Sequence, residues 1–228
     1  MRRVAIFDID GTIFRSSLLI ETTNALIAEG IFPARARRMY QRSFENWLNR
    51  KGEYGDYIAD VVRVFDQYIR GVQKVTFLRV VRKVMAYQKH RVYRFTRDTI
   101  RQLRKRGFYL IAISHSPRDL VVEFTKHWGF DRVYGRMFEL DARQRFTGKV
   151  LHVDVINDKA NIVKHAIAHE GLSLKGSVGV GDSEGDISML KLVERPICFN
   201  PNGLLYKHAK RAGWEVVVER KDVVYHLS

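Results

Sequence analysis

The sequence predicts an α/β protein, an open parallel sheet with an α-helical domain inserted near its start, and two observations carry that prediction. Three short runs, VAIF at 4–7, LIAI at 110–113 and VGV at 178–180, are apolar throughout, as strands covered on both faces are. Residues 15–95, by contrast, show long helical patterns rich in Arg, Tyr and Phe and no convincing strand.

Taken in order, VAIF follows two arginines and ends at Asp8; four apolar residues without a cleavage-site pattern read as a first strand, not a signal segment. Helical periodicity then covers roughly 17–29, 33–49, 54–70 and 74–90, with Gly30, Gly52 and Gly71 as punctuation, which makes a small four-helix cap. After the strand at 110–113, a helix over about 117–128 is expected. Ser116 and Asp119 form its capping box and Pro117 is its first helical residue. A helix over 158–170, capped by Asn157 or Asp158, precedes the strand at 178–180, and a helix over 184–193 follows it. Further strands are expected at 132–135, 196–199 and 214–218, about six in all. Strand and helix alternate as in a Rossmann-like parallel sheet. The expected division is a core of residues 1–14 and 96–228 and an inserted cap of residues 15–95.

Composition narrows the function classes. Apolar residues are 46% of the 228, enough to bury a core. The longest apolar runs fall far short of the roughly 20 residues of a membrane span, so no transmembrane segment is expected. Cys198 is the only cysteine, which excludes an intrachain disulfide and fits a cytoplasmic protein. The net charge is +15, and residues 32–106 hold 20 Lys and Arg against 6 Asp and Glu, a balance of +14. A basic cap of this kind is either a solvated helical face or a surface for an anionic partner: a phosphorylated substrate, nucleic acid or an anionic membrane.

The chemistry-bearing residues collect at strand ends. Asp8 and Asp10 flank the end of the first strand, where Gly11 lets the chain turn so that both acids reach one pocket. One can attack while the other moves protons, and paired carboxylates are hard ligands for Mg2+. Ser114 ends the second strand beside a helix start, whose free amides suit phosphate. Lys159 sits in the first turn of a helix, against the helix dipole, which suggests a phosphoryl oxygen as its partner. Asp182 and Asp186 follow the third strand in GDSEGD. Open α/β sheets bind ligands outside the carboxyl ends of their strands, where Asp8, Ser114 and Asp182 all stand.

With DIDGT at 8–12, Ser114, Lys159 and GDSEGD at 181–186 in this order, the chain resembles the haloacid dehalogenase superfamily over its whole length. The helical insertion after the first motif resembles the cap of its phosphoserine phosphatase-like subgroup. The resemblance implies a phosphomonoester hydrolase in which Asp8 is the nucleophile and Asp10 the general acid and then base. It implies Mg2+ held by Asp8, the Asp10 carbonyl and Asp182, with Asp186 orienting the shell or binding through water. Ser114, His115 and Lys159 would hold the phosphate of a small phosphorylated substrate. The alternatives are a large anionic substrate, a phospholipid head group or a nucleic-acid end recruited by the basic cap, and a nucleic-acid-binding protein on the same core.

Three positions depart from the phosphoserine phosphatase pattern. Ser17 stands where a glutamate reads the substrate amine, with Glu21 nearby on another helical face. His115 and Ser116 replace two glycines, and Gly185 replaces an asparagine. His165 and His169 have a zinc-compatible spacing but no third ligand, and read as ordinary helix residues. Trp47, Tyr54, Tyr57, Tyr68 and Tyr87 could stack on bases, but at helical spacing they read first as core.

Overall fold

The computed structural model describes residues 1–156 and 158–227, so Asn157, one of the two expected caps, lies outside the described residues. Strand β1 (Arg3–Asp8) leads into helices α1 (Leu18–Ala28), α2 (Arg38–Leu48), α3 (Tyr54–Tyr68) and α4 (Lys74–Gln88). Then come α5 (Arg94–Lys105), β2 (Tyr109–Pro117), α6 (Arg118–Thr125), β3 (Arg132–Leu140), β4 (Phe146–Leu151), α7 (Val153–Ile156) and α8 (Lys159–Glu170). The chain closes with β5 (Ser173–Gly181), α9 (Ile187–Leu190), β6 (Arg195–Phe199), α10 (Gly203–Ala212), β7 (Glu215–Arg220) and β8 (Val223–Leu227). Two compact units result: Met1–Ser16, Lys89–Arg136 and His152–Ser228 form one, Ser17–Gln88 and Met137–Leu151 the other.

In the first unit the strand order is β3-β2-β1-β5-β6-β7-β8, parallel except for β8, which pairs antiparallel with β7. The register sets Asp8 beside Ile113 and Phe7 beside Val180, so β1, β2 and β5 reach their carboxyl ends together. One sheet face packs Val4, Ile6, Ile111 and Ile113 against Ile162, Val163 and Ala166 of α8 and against Cys198 and Leu205. This apolar layer is why the three runs are unbroken, and burying each large aliphatic side chain contributes about 1.5–3 kcal/mol. Helix α8 begins at Asp158, whose carboxylate accepts from the Ala160 amide at 2.9 Å, and ends at Gly171 with φ 61°.

In the second unit α1–α4 pack with an antiparallel hairpin formed by the far half of β3 and β4, where Phe138 and Phe146 contact Phe65 and Phe77. Ser17 caps α1 by accepting from the Ile20 amide.

The six expected strands are present. Two edge strands, β4 and β8, were not expected: FTGKVL is broken by Gly148 and Lys149, and VVYHL is short and mostly exposed, so neither has the apolar run of a central strand. Two helical readings need correction. Strand β2 runs through Pro117, α6 starts at Arg118, and no side chain caps it, because the Ser116 hydroxyl is turned to Asp10 instead. The stretch 184–193 is a 3-10 turn at Glu184–Asp186 followed by the single-turn α9, tightened by a reciprocal capping box between Ser183 and Asp186.

Candidate active site

The site is built on the carboxyl ends of β1, β2 and β5 in the first unit. After Asp8 the chain turns sharply: the amides of Ile13 and Phe14 both donate to the Ile9 carbonyl at 2.9 Å. Gly11 takes φ 80°, and a Cβ there would stand 2.1 Å from Asp182 Oδ2, so only glycine lets this turn and the β5 loop meet. Gly181 is constrained in the same way, its missing Cβ lying 2.5 Å from Asp186. Thr12 donates its hydroxyl to Asp182 Oδ1 at 3.1 Å and so joins the two loops.

Six predicted residues, Asp8, Asp10, Ser114, Lys159, Asp182 and Asp186, form the centre. Lys159 Nζ donates to Asp8 Oδ1 at 2.6 Å and also to Asp186 Oδ1, with all three side chains almost wholly buried. Asp186 Oδ2 accepts from the amides of Asp182 and Ser183, both at 3.0 Å. Both Asp186 oxygens are therefore occupied by the chain itself, and this carboxylate fixes Lys159 and the β5 loop. Asp10 Oδ2 accepts from Ser114 Oγ at 2.6 Å and Ser116 Oγ at 2.9 Å, while Ser114 Oγ accepts from the Ser116 amide at 2.9 Å. The sequence reading gave Ser116 no role here; its spacing two residues from Ser114 on one strand was the available signal.

Electrostatics follow from three carboxylates around one ammonium. Burial, only partly offset by Lys159 and reinforced by Asp186 and Asp10, pushes Asp8 up to about 7. Asp182 keeps some solvent access, yet the surrounding protein, then Asp8 and Asp186, raise it as well. Burial works against the charge on Lys159, but Asp186 and Asp8 override it and hold the amine protonated beyond its ordinary range. His115 is exposed to solvent, yet the protein around it, then the Lys159 charge, lower it to about 4. At neutral pH His115 is thus an uncharged donor or acceptor. Its Cε1 is 3.9 Å from the position a Cβ on Gly185 would take, so two departures from the family pattern are neighbours in space. Cys198, buried and pushed up to about 12, is a packing thiol.

The centre is suited to a cation. Asp8 Oδ2 is buried without a hydrogen-bond partner, and one oxygen each of Asp8, Asp182 and Asp186 lie within 4.8 Å of one another. An all-carboxylate set carrying more negative charge than Lys159 neutralises fits a hard divalent ion. His165 and His169 stack on each other on α8 and stand outside the cluster of candidate ligands found among the described residues. No helix of the described residues is long and apolar enough to cross a membrane.

Comparison with known proteins agrees with this geometry. The family model for haloacid dehalogenase-like hydrolases matches residues 5–191. A phosphoserine phosphatase of Methanocaldococcus jannaschii is 25% identical over 229 residues, covering 97% of this chain and 94% of the relative. A histidinol-phosphatase of Neisseria meningitidis serogroup C is 22% identical over 223 residues, covering 95% and 99%. Among solved structures, a Bordetella pertussis Tohama I protein of unknown function aligns with TM-score 0.74 and 20% identity over 95% of this chain and 98% of that one. A phospho-aspartyl intermediate analogue of phosphoserine phosphatase aligns with TM-score 0.64 and 18% identity over 97% and 95%. The chain belongs to the haloacid dehalogenase-like hydrolases and is a phosphatase of their phosphoserine phosphatase-like subgroup.

Proposed function

We propose that this chain hydrolyses a small phosphomonoester in the presence of Mg2+ by way of a phosphoryl group carried on Asp8. The observation that carries the reading is the state of the Asp8 carboxylate, with Oδ1 anchored by Lys159 and Oδ2 buried and unpartnered. In the first half-reaction an Asp8 oxygen forms a bond to phosphorus, the ester P–O bond breaks, and Asp10 gives its proton to the departing alkoxide. In the second, Asp10 takes a proton from water, the water oxygen bonds to phosphorus, and the bond to Asp8 breaks to release orthophosphate. Asp8, the Asp10 carbonyl and Asp182 would hold Mg2+, which would supply positive charge against the phosphoryl oxygens. Asp186 keeps Lys159 and the Asp182 loop in place. Ser114 turns from Asp10 to the incoming phosphate, which His115 and Lys159 also contact, and Ser116 keeps its hold on Asp10.

Phosphoserine itself is not the substrate we favour. Ser17, at the position of the amine-reading glutamate, spends its hydroxyl on the α1 cap, and Glu21 accepts from Gln88 Nε2 at 3.2 Å. The test is phosphate release from a panel of phosphorylated metabolites with Mg2+ and with chelator. Metal-dependent turnover that Asp8→Asn abolishes supports the reading, and turnover that persists in Asp8→Asn overturns it.

A further inference from the structure

Within the first unit, the chain that follows the Asp8–Asp10 turn carries a cation that the proposed mechanism leaves unused. Arg15 is exposed, yet its backbone is held: its amide donates to the Arg91 carbonyl at 2.8 Å, and the next carbonyl, that of Ser16, accepts from the Gly11 amide at 3.2 Å. Its guanidinium lies over the Tyr93 ring, 5.5 Å from the ring centre. Tyr93 is fixed in turn, because its amide donates to the Ile13 carbonyl at 3.0 Å and its ring meets the buried Phe199 edge-on at 4.9 Å. A guanidinium resting on a ring keeps its N–H donors available, and among the described residues no acceptor takes those of Arg15.

The sheet register puts this cation at the catalytic edge. Gly181 pairs with Cys198, so Phe199 is level with Asp182, and the Asn202 amide donates to the Asp182 carbonyl at 2.8 Å. Burial raises the Tyr93 phenol; Arg15 opposes that rise and Asp182 adds to it, so both charges act on one ring. Phe199 alternates with Cys198, which faces α8, so Tyr93 and Arg15 stand on the other side of the sheet edge from Lys159.

We propose that Arg15, on its Tyr93 platform, reads a second anionic group of the substrate, a carboxylate or a further phosphate. The inference rests on the phosphatase reading and narrows its substrate to a phosphorylated acid. A planar guanidinium meets either group with paired N–H bonds. A solvated arginine needs no aromatic platform; one already held loses little side-chain entropy when an anion binds. Cations on opposite sides of the Asp8 edge suit two anionic groups better than one phosphate.

The test is calorimetric binding of the full chain with Mg2+ to phosphonates, whose P–C bond resists hydrolysis. Alkylphosphonates are compared with ω-carboxyalkylphosphonates and α,ω-bisphosphonates of matched, graded length. The second anionic group tightens binding by about tenfold at its best length, and whichever series gains identifies that group. Arg15→Gln, at an exposed position, removes the gain and leaves alkylphosphonate affinity within about twofold. Equal affinity for charged and uncharged series, or a gain that survives in Arg15→Gln, overturns this inference alone. So does a loss in Arg15→Gln that is equal in all three series, since it would make Arg15 a ligand of the phosphate itself. Failure of every phosphonate to bind overturns the phosphatase reading as well.

Discussion

Lys159 holds Asp8 by a 2.6 Å hydrogen bond in a site where both side chains are almost excluded from water. The amine neutralises one carboxylate while three converge, and this excess of acids over the one ammonium has a measurable signature.

The Asp8 carboxyl titrates near 7 in the folded chain against 3.8 as its ordinary value. Between these values the folded chain keeps a proton that the unfolded chain releases, so stability falls as pH rises through the window and the full cost is present above it. In chelator, Asp8→Asn therefore melts higher than the parent chain above pH 7, by about 2–4 kcal/mol, and the gap closes toward pH 4. A gap that does not vary with pH would contradict the assignment.

Ser116→Ala removes one of two hydroxyls on the Asp10 carboxylate and leaves Ser114 in place. Because Asp10 is proposed to move protons, the loss falls on kcat, by about tenfold, with KM little changed. Ser116→Thr restores a hydroxyl and part of the rate. Steady-state kinetics on any substrate from the panel reads this directly, and a change confined to KM would reassign Ser116 to phosphate binding.

His115 and Gly185 are expected to act as a pair, since the imidazole lies beside the space an asparagine at 185 would fill. Gly185→Asn crowds His115 and raises KM several-fold. The double substitution His115→Gly with Gly185→Asn recovers more of kcat/KM than the two single effects predict, a coupling of about 1 kcal/mol. Strict additivity would show that the two positions are independent.

Gly11→Ala places a methyl group against Asp182 and forces alanine to φ 80°. Strain of about 1–3 kcal/mol is expected, with loss of metal affinity. Titration of the chain with Mg2+, followed by thermal stabilisation, measures both. Unaltered stabilisation by Mg2+ would exclude the close approach of the two loops.

Most of the candidate site could be read in the sequence because its residues follow apolar runs: Asp8 ends β1, Asp182 follows the last residue of β5, and Ser114 comes directly after the buried run of β2, which continues to Pro117. The helices at 54–68 and 74–88 were legible from periodicity to within two residues. What escaped depended on contacts distant in sequence. Ser116 reads locally as a helix cap, and only the return of the Asp10 turn, 106 residues away, claims its hydroxyl. The engagement of Asp186 Oδ1 was hidden for the same reason, since Lys159 is 27 residues distant. Strand β4 escaped because its residues alternate around Gly148 and find their partners only in the hairpin with β3.

The most direct test of the account is to quench turnover in acid after mixing with substrate and Mg2+, then map phosphate on the digested chain. The account predicts a hydroxylamine-labile phosphoryl group on Asp8, absent in Asp8→Asn and in chelator. Phosphate on another residue, or turnover with Asp8 replaced, would contradict it.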